Sequence, residues 1–321
     1  MGMFCPIREV TVAVADVSKW IPVEYGGALF KKFTETSVLF RIANGPGGRV
    51  EPMSTNTKHV PKDGDVAVQF TGKNQTYGLD TTAVDDILLT SKKMTGGVPL
   101  AEEDISDAAG FVQVVPAKRD AAFRGFATLL DNAAFAVTGT PTTDPDMTVP
   151  YNSLYRQVKA YAGGANVLTW DASSGTAAEL RTAILAAMGV AENSEWASTD
   201  LVWGMNPAFR AYLRNQTVDG SNGLPIWSQA ENTILSYRVE WGRGLRTSAT
   251  AVQKPTSGNP IAIVGPPGMI VPGTRDALSW RVTDSETGIG ALSDTAYVLA
   301  RQRLGFNIGD PSAFAIVEIV P

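Results

Sequence analysis

The residues from Ser106 to Gly139 constrain the fold of this chain more than any other segment. Their apolar side chains recur every three or four positions, at Ala122/Phe123, Phe126, Leu129/Leu130, Ala133/Ala134 and Val137. This spacing predicts one long amphipathic helix over about residues 106–138, because residues three and four apart share a helix face. Pro116 is compatible with a first turn, and Gly139 is predicted to be the left-handed residue that ends the helix.

A helix of this length needs a second layer to pack against, and the chain is long enough to supply one. Its 321 residues exceed what one core usually holds, so two lobes are expected. Hydrophobic residues make up 44%, and no apolar run approaches the about 20 residues that cross a bilayer. The amino terminus lacks a secretory pattern, which predicts a protein that folds in the cytosol. Charged residues are only 18%, which indicates a surface partly covered by other subunits.

The counts of reactive residues exclude several kinds of chemistry. With one cysteine, Cys5, and one histidine, His59, the chain has no disulfide framework and too few ligands for a typical zinc site. His59 lies in a polar segment and is interpreted as a solvated loop residue. The formal net charge of -5 argues against a dedicated nucleic-acid reader, which would present a concentrated basic face. We therefore expect no cofactor and no metal.

The sequence also contains no recognisable catalytic motif. It has no nucleophile elbow, Walker loop, dinucleotide fingerprint or HExxH pattern. Adjacent carboxylates such as Asp85 and Asp86 could be nominated as acid and base, but neighbouring strand residues point to opposite faces. We predict that the chain is not an enzyme. A two-lobed carboxylate-dependent hydrolase is kept as a remote alternative.

The first half of the chain shows an extended arm followed by a loop that cannot build its own core. Residues 1–20 are interpreted as an arm, and 21–42 as a short helix followed by a strand at Val38–Ile42. From Asn44 to about Gln75 the sequence is dense in Gly, Pro, Asn and Thr. Within it, RVEPMST and DVAVQF are predicted to pair as a projecting hairpin, which would need support from another chain. Residues 81–100 are predicted to form strands that lead to the long helix.

After Gly139 a linker of turn-forming residues opens a second lobe in which helices and strands alternate. YNSLYRQVKAYA and TAAELRTAILAAMGV are predicted helices, the second capped by Thr176. DLVWGMNPAFRAYLRN is predicted to be a buried strand and then a helix, with Asn206 as the cap and Pro207 in the first turn. Further strands are predicted in NTILSYRVEW, NPIAIVGPPGMIVPG and ALSWRVTDS, and two more in the last 30 residues.

This order of parts resembles the major capsid proteins of tailed bacteriophages with the Hong Kong 97 fold. The matching segments are IPVEYGGALFKKFTETSVLFRIA, DNAAFAVTGT, WGMNPAFRAYLRN followed by DGSNGLPIW, and AYVLARQRLGFNIGDPSAFAIVEI. The resemblance implies an α+β fold with an amino-terminal arm (1–43), an extended loop hairpin (44–76), a peripheral domain (77–140) containing a spine helix, an axial domain (141–275), and a return to the peripheral domain with the C-terminal strands (276–321).

The function implied by the resemblance is mechanical. Capsid proteins of this family form pentamers and hexamers that close into an icosahedral shell around double-stranded DNA, in the host bacterial cytoplasm. The expected partners are copies of the chain itself, a portal protein, packaged DNA contacted without sequence specificity, and a decoration protein in those relatives that carry one; no membrane is expected. Because the chain reaches its arm almost at once after Met1, a separate scaffolding protein is expected. An encapsulin-type compartment shell, which shares the fold, is the nearest alternative.

Two sets of basic residues are candidates for contacts in such a shell. The resemblance places one set in the extended loop, where it would meet neighbouring subunits: Arg49, Lys58, Lys62 and Lys73. The second set is assigned weak contacts with DNA or the particle interior: Lys31, Lys32 and Arg119. The founding member of the family cross-links a lysine to an asparagine with the help of a glutamate. No asparagine and glutamate here match that pattern, so the loop lysines are interpreted as ordinary solvated residues.

Overall fold

The computed structural model of the chain describes residues 37–62, 85–101, 103, 114–143, 146–197, 200–214, 216–217, 225–252, 256–283 and 295–321. The α-helices there are α1 (Val38–Ala43), α2 (Val114–Phe135), α3 (Leu154–Ala160), α4 (Ala177–Glu192) and α5 (Phe209–Leu213). The strands are β1 (Glu51–Pro52), β2 (Thr57–Lys62), β3 (Asp85–Thr90), β4 (Lys92–Ala101), β5 (Val167–Asp171), β6 (Val202–Met205), β7 (Trp227–Ser228), β8 (Thr233–Ile234), β9 (Tyr237–Trp241), β10 (Ile261–Gly265), β11 (Ile270–Thr283), β12 (Thr295–Ile308) and β13 (Ala315–Val320).

The strands form three sheets. The largest has the order β5-β13-β10-β6-β9-β8-β7, the second has the order β1-β11-β12-β4, and β2 pairs only with β3. By its contacts the chain divides into two units: the first comprises residues 1–34, 93–124 and 277–302, and the second comprises 35–92, 125–276 and 303–321. The predicted mixture of helix and strand is therefore present, in both halves of the sequence.

The largest sheet is the centre of the second unit, and α4 covers it. The inner residues of α4 are buried at Leu180, Ile184, Ala187 and Ala191, the spacing that keeps one helix face against a sheet. This helix contacts β5, β10 and β13. Strand β6 is buried along its whole length, and the ring of Trp203 is fully enclosed. A strand buried on both faces is expected at the middle of a sheet that has cover on both sides.

Of the two helix caps predicted in the second lobe, one is confirmed. Thr176 caps α4 in a capping box: its side chain accepts the N–H of Glu179 at 3.3 Å, and the Glu179 carboxylate accepts the N–H of Thr176 at 2.8 Å. The predicted cap of α5 at Asn206 is wrong: the helix begins at Phe209, two residues after Pro207, and Ala208 is its cap residue. The Asn206 side chain accepts the N–H of Ala208 at 3.0 Å, before the helix begins.

The long helix is present as α2, with bounds that differ from the prediction. It runs from Val114 to Phe135, and residues 104–113 lie outside the described part of the chain. Gly139 does not end it and lies outside the left-handed region. After Phe135 the backbone turns extended because Ser248 engages it: Thr138 N–H donates to Ser248 O at 2.8 Å, and Ser248 N–H donates to Ala136 O at 3.3 Å. Gly139 instead allows a close approach, since a Cβ there would clash with the Ala249 carbonyl.

One strand prediction near the extended loop is wrong: residues Val38–Ala43 form helix α1, not a strand. Within RVEPMST, strand β1 pairs in parallel with β11, with Glu51 opposite Gly273. Its predicted partner DVAVQF lies outside the described residues. Strand β2 pairs with β3, from Thr57 opposite Thr90 to Lys62 opposite Asp85. The rest of the predicted loop, residues 63–76, lies outside the described residues, as do residues 77–84 and the arm over 1–36.

The C-terminal strand has a different place from the predicted domain division. We expected residues 276–321 to return to the peripheral domain. Strand β13 instead pairs in parallel with β5 and antiparallel with β10, inside the largest sheet. The C-terminal half of β11 and the N-terminal part of β12 belong to the first unit by their contacts, and β13 belongs to the second.

Candidate assembly surfaces

A buried carboxylate, Asp131, fixes the start of helix α1 in the second unit. It lies near the end of α2, and only 2% of the residue is exposed. Its oxygens accept hydrogen bonds from Ser37 Oγ at 2.6 Å, Val38 N at 2.9 Å and Leu39 N at 3.1 Å. The last two donors begin helix α1, where backbone N–H groups have no partner within the helix. Asp131 therefore acts as a remote helix cap.

The same contacts explain why α1 is helical despite its strand-like sequence. A negative charge at a helix start is favoured by the helix dipole, and the bonds replace those that a strand partner would give. Burial raises the pKa of Asp131 to about 6, although hydrogen bonds from Ser37, Val38 and Leu39 and the charge of Arg41 lower it in part. At neutral pH the group is a carboxylate held out of water by its donors.

The next residue, Asn132, ties the end of α2 to a loop over residues 244–252. Its side chain is fully buried and donates from Nδ2 to the carbonyls of Gly244 at 3.0 Å and Arg246 at 2.8 Å. Its Oδ1 accepts from Ser248 Oγ at 3.0 Å and from Val252 N at 3.2 Å. The amide is thus saturated, which is the condition for a buried polar group to be stabilising.

Arginines complete the attachment of α1 to the largest sheet. Arg41 donates from Nη2 to Trp241 O at 2.5 Å and lies 3.4 Å from the Glu240 carboxylate. In the opposite direction, Arg238 donates from Nη2 to Ile42 O at 3.0 Å, which satisfies a carbonyl near the end of the helix. Both ends of α1 are therefore held by charged groups of the body.

The base of the stem that β2 and β3 form carries two of the predicted loop cations, and both pair within the chain. Lys58 Nζ lies 2.7 Å from the Glu51 carboxylate and also donates to Pro52 O at 2.8 Å. The Arg49 guanidinium contacts the same carboxylate, and its Nε donates a hydrogen bond to Glu51 Oε1 at 2.9 Å. Hydrogen bonds from Lys58 and then Arg49 lower the pKa of Glu51. The Arg49 side chain remains 45% exposed, so its outer face is available to a neighbour.

Lys62, at the upper end of the stem, is the most enclosed of the described loop cations. Its Nζ lies 2.6 Å from Asp310 Oδ2, with only 15% of the lysine side chain exposed, and 4.8 Å from the centre of the Trp196 ring. Partial burial acts to raise the pKa of Asp310, but hydrogen bonds from Lys62 and Ser312 outweigh it and the pKa lies below its usual value. Lys62 thus anchors the stem to the turn before β13.

The outer face of the stem is polar but carries one apolar side chain. His59 lies on β2, not in a loop, and its Nδ1 contacts the carboxylate of Asp86 on β3. Leu88, opposite His59 in the ladder, is 45% exposed. A single exposed Leu on a polar surface is ordinary for a folded protein, so this face does not by itself indicate a binding site.

The remaining predicted residues are not brought to one place. Arg119 lies on α2 and is exposed, with Phe123 one turn further along and 40% exposed. Lys31, Lys32 and Lys73 lie outside the described residues. The residues that hold the structure together, Asp131 and Asn132, were missed as individuals. The available signal was two adjacent polar residues inside the otherwise apolar stripe of the long helix.

Among the described residues, no group of three or more histidine, cysteine, aspartate or glutamate side chains could hold a metal ion. Among the same residues, no helix has the length and apolar character needed to span a membrane.

Comparison with known proteins identifies this architecture. The model of the phage capsid family matches residues 20–319. No curated protein matches by sequence. Among solved structures, a chain from Mycobacterium phage Ogopogo aligns with a TM-score of 0.68 at 17% identity, over 96% of this chain and 100% of that one. A chain from Gordonia phage Cozz aligns with a TM-score of 0.65 at 13% identity, over 100% and 99%.

A third structure is the capsid of an empty GTA particle, with a TM-score of 0.61 at 14% identity over 95% of this chain and 97% of that one. At such identities the structural likeness establishes the fold, and the match to the family model over nearly the whole chain establishes the relationship. The chain belongs to the phage capsid family, as a structural protein of the virion capsid with the Hong Kong 97-like fold that its sequence predicts.

Proposed function

We propose that this capsid protein assembles as pentamers and hexamers into an icosahedral shell that encloses double-stranded phage DNA. The family match over residues 20–319 supports this function most directly. The buried contacts that hold Ser37 and α1, and the Lys62–Asp310 pair at the end of β2, add physical support. They hold in place the residues next to the segments that the proposal assigns to contacts between subunits.

Electron microscopy of the purified full chain tests the proposal, alone and with scaffolding protein supplied. We expect closed particles with five-fold and six-fold capsomers, and nuclease-protected double-stranded DNA in particles made during infection. Particles that carry a protein cargo and no DNA would favour the encapsulin alternative. A chain that stays monomeric under every assembly condition would falsify the proposal, and activity lost with one carboxylate would favour the hydrolase.

The proposal extends to partners and to assembly in the host cytoplasm. A portal protein, a separate scaffolding protein and a decoration protein are partners that shells of this architecture call for. Native particles purified from infected cells and analysed by mass spectrometry test each one by its presence at a fixed ratio to this chain.

Among the loop cations, we assign the contact with a neighbouring subunit to Arg49 and Lys73, with Lys58 and Lys62 in a supporting role. Arg49 is the testable member, because its guanidinium is 45% exposed while Lys58 keeps Glu51 paired without it. Arg49→Ala is expected to lower the yield of closed particles without changing the fold of the unassembled chain. Arg181→Ala, at a half-buried position of α4, is the matched control and should assemble normally. Equal yields from both variants would remove Arg49 from the contact.

Lys31, Lys32 and Arg119 are proposed to make weak contacts with DNA or the particle interior. Neutralising them together should leave shell formation intact and lower the DNA retained when filled particles are washed at raised salt, because such contacts act through counterion release. Retention equal to that of the unaltered particle contradicts this assignment.

A further inference from the structure

One face of the β11–β12–β4 portion of the first unit carries basic side chains with no acidic counterpart. The groove there is lined by Lys93, Thr95, Gly97, Ser279, Arg281 and Arg301 and has a volume of about 720 Å³. Lys93, Arg281 and Arg301 are all exposed. No carboxylate of the described residues pairs with them. The three basic residues come from three different strands, and Gly96, Trp280 and Ala300 of the same strands also line the groove.

Some basic residues elsewhere in the described chain do have acidic partners. Arg41, Arg49, Lys58, Lys62 and Arg303 each lie within 4 Å of a carboxylate oxygen. The protein as a whole has a formal net charge of -5. Basic residues that have no acidic partner attract anions locally, even though the protein as a whole has a negative net charge and repels them.

The lining of the groove combines basic and polar groups with two large apolar side chains. Gly97 keeps the groove open at its own position, because a Cβ there would lie 3.0 Å from Leu299. Arg301 Nε donates to Ser279 Oγ at 3.3 Å, which orients the guanidinium across the strands. Trp280 and Leu299, the latter 40% exposed, also line the groove.

We propose that this groove binds the phosphate backbone of nucleic acid, without reading its sequence. Strands lie about 4.8 Å apart, so the three strands span about 10 Å. One strand of duplex DNA places a phosphate about every 3.4 Å of axis, so about three phosphates fall within that width. The hydroxyls of Thr95 and Ser279 are further donors of the kind that contact phosphates. The inference rests on the proposed function, since double-stranded DNA is the polyanion that the shell would enclose.

Salt-dependent binding of the unassembled full chain to a 20-base-pair DNA duplex, measured by fluorescence anisotropy at 20 to 150 mM salt, tests the groove. The triple variant Lys93→Gln, Arg281→Gln, Arg301→Gln should lower the slope of log K against log salt by about 3, because each phosphate contact contributes about 0.9. Lys93→Gln alone should lower it by about 1. The control Arg156→Gln, Arg181→Gln, Arg214→Gln makes the same change in charge in the second unit and should leave the slope unchanged.

Each outcome decides the inference. Equal slopes for the unaltered chain and for both the single and the triple groove variants overturn it. A triple variant that binds DNA normally and fails to form particles also overturns it, because the groove would then be a contact for an acidic segment of another protein. A chain that binds DNA through the groove but never forms particles supports the inference and contradicts the proposed shell function, so the two failures are distinguishable.

Discussion

At the scale of single residues, the stability of the second unit depends on two adjacent polar side chains in a helix that is otherwise apolar. Asp131 and Asn132 are at most 2% exposed, and together they bind Ser37, α1 and the loop over 244–252. A buried polar group destabilises the folded state when it lacks hydrogen-bond partners, and it favours one specific arrangement of its neighbours when it has them. These contacts determine the position of α1 more than the sequence of α1 does.

The titration of Asp131 should make stability depend on pH. Its pKa rises from 3.8 to about 6 on folding because it is buried. Between those values the folded state holds more protons than the unfolded state, so the free energy of unfolding falls as pH rises through this window. The fall contributed by this group is at most about 3 kcal/mol, since one pKa unit corresponds to about 1.4 kcal/mol.

Urea unfolding at pH 4.5, 5.5 and 7 measures this contribution. The difference in stability between the unaltered chain and Asp131→Asn should shrink or reverse as pH rises, because the variant lacks the titrating group. Glu195→Gln removes an exposed carboxylate and should follow the unaltered chain. A difference that stays constant from pH 4.5 to 7 contradicts the role given to Asp131.

At Asn132, charge should matter more than size. Asn132→Ala leaves two buried carbonyls without donors, and we expect a loss of about 2–4 kcal/mol. Asn132→Asp should cost more at pH 7, because it places an unpaired carboxylate against those carbonyls. The exposed control Asn152→Asp should stay within about 0.5 kcal/mol. Unfolding midpoints in urea give the order, and an aspartate variant more stable than the alanine variant would be incompatible with the observed bonds.

At the scale of elements, a feature could be predicted from the sequence when the residues that cause it are close together in the chain. The start of α4 was predictable because Thr176 and Glu179 are three residues apart and satisfy each other. Helix α1 was not, because the group that caps Val38 lies 93 residues away in sequence. The partner of β1 was equally out of reach, since a two-residue strand carries no pattern that could select Gly273.

The same contrast applies to the candidate surfaces. Arg49, Lys58 and Lys62 could be identified as loop cations from composition. Their partners Glu51 and Asp310 could not, because Asp310 lies 248 residues from Lys62 in sequence. The unpaired basic groove was also missed, since its residues come from three strands that only the sheet order brings together.

The capping box of α4 gives a prediction with an internal control. Thr176→Ala should cost about 1 kcal/mol, because the N–H of Glu179 loses its acceptor at the helix start. Thr176→Ser should be close to neutral. Thr182→Ala, inside the same helix on its exposed side, should be neutral or stabilising because alanine favours helix interiors. Thermal unfolding compares the three, and a loss at Thr182 as large as that at Thr176 would contradict capping as the cause.

At the scale of the whole molecule, the largest sheet is completed only by the last strand of the sequence. Strand β13 lies between β5 and β10 and pairs with both. Residues Ala315 to Ile319 are all buried. Among them, Glu318 accepts hydrogen bonds from Tyr155 Oη at 2.7 Å and from Asn259 Nδ2 at 2.7 Å. Until β13 is in place, β5 has no strand to pair with in this sheet, and the edge of β10 that β13 covers is open.

A chain truncated after Phe314 should therefore fail to fold, although it keeps about 98% of the sequence. Open, apolar strand edges are templates for aggregation, so we expect insoluble protein and no particles. Truncation after Val320 retains all of β13 and should leave solubility and assembly unchanged. Adding a synthetic peptide of residues 315–320 during refolding should restore soluble protein in part, because it can occupy the vacant place by strand addition. If the chain ending at Phe314 instead unfolds cooperatively in urea and forms shells, then β13 does not close the sheet and the assembly-competent core lies elsewhere in the unit.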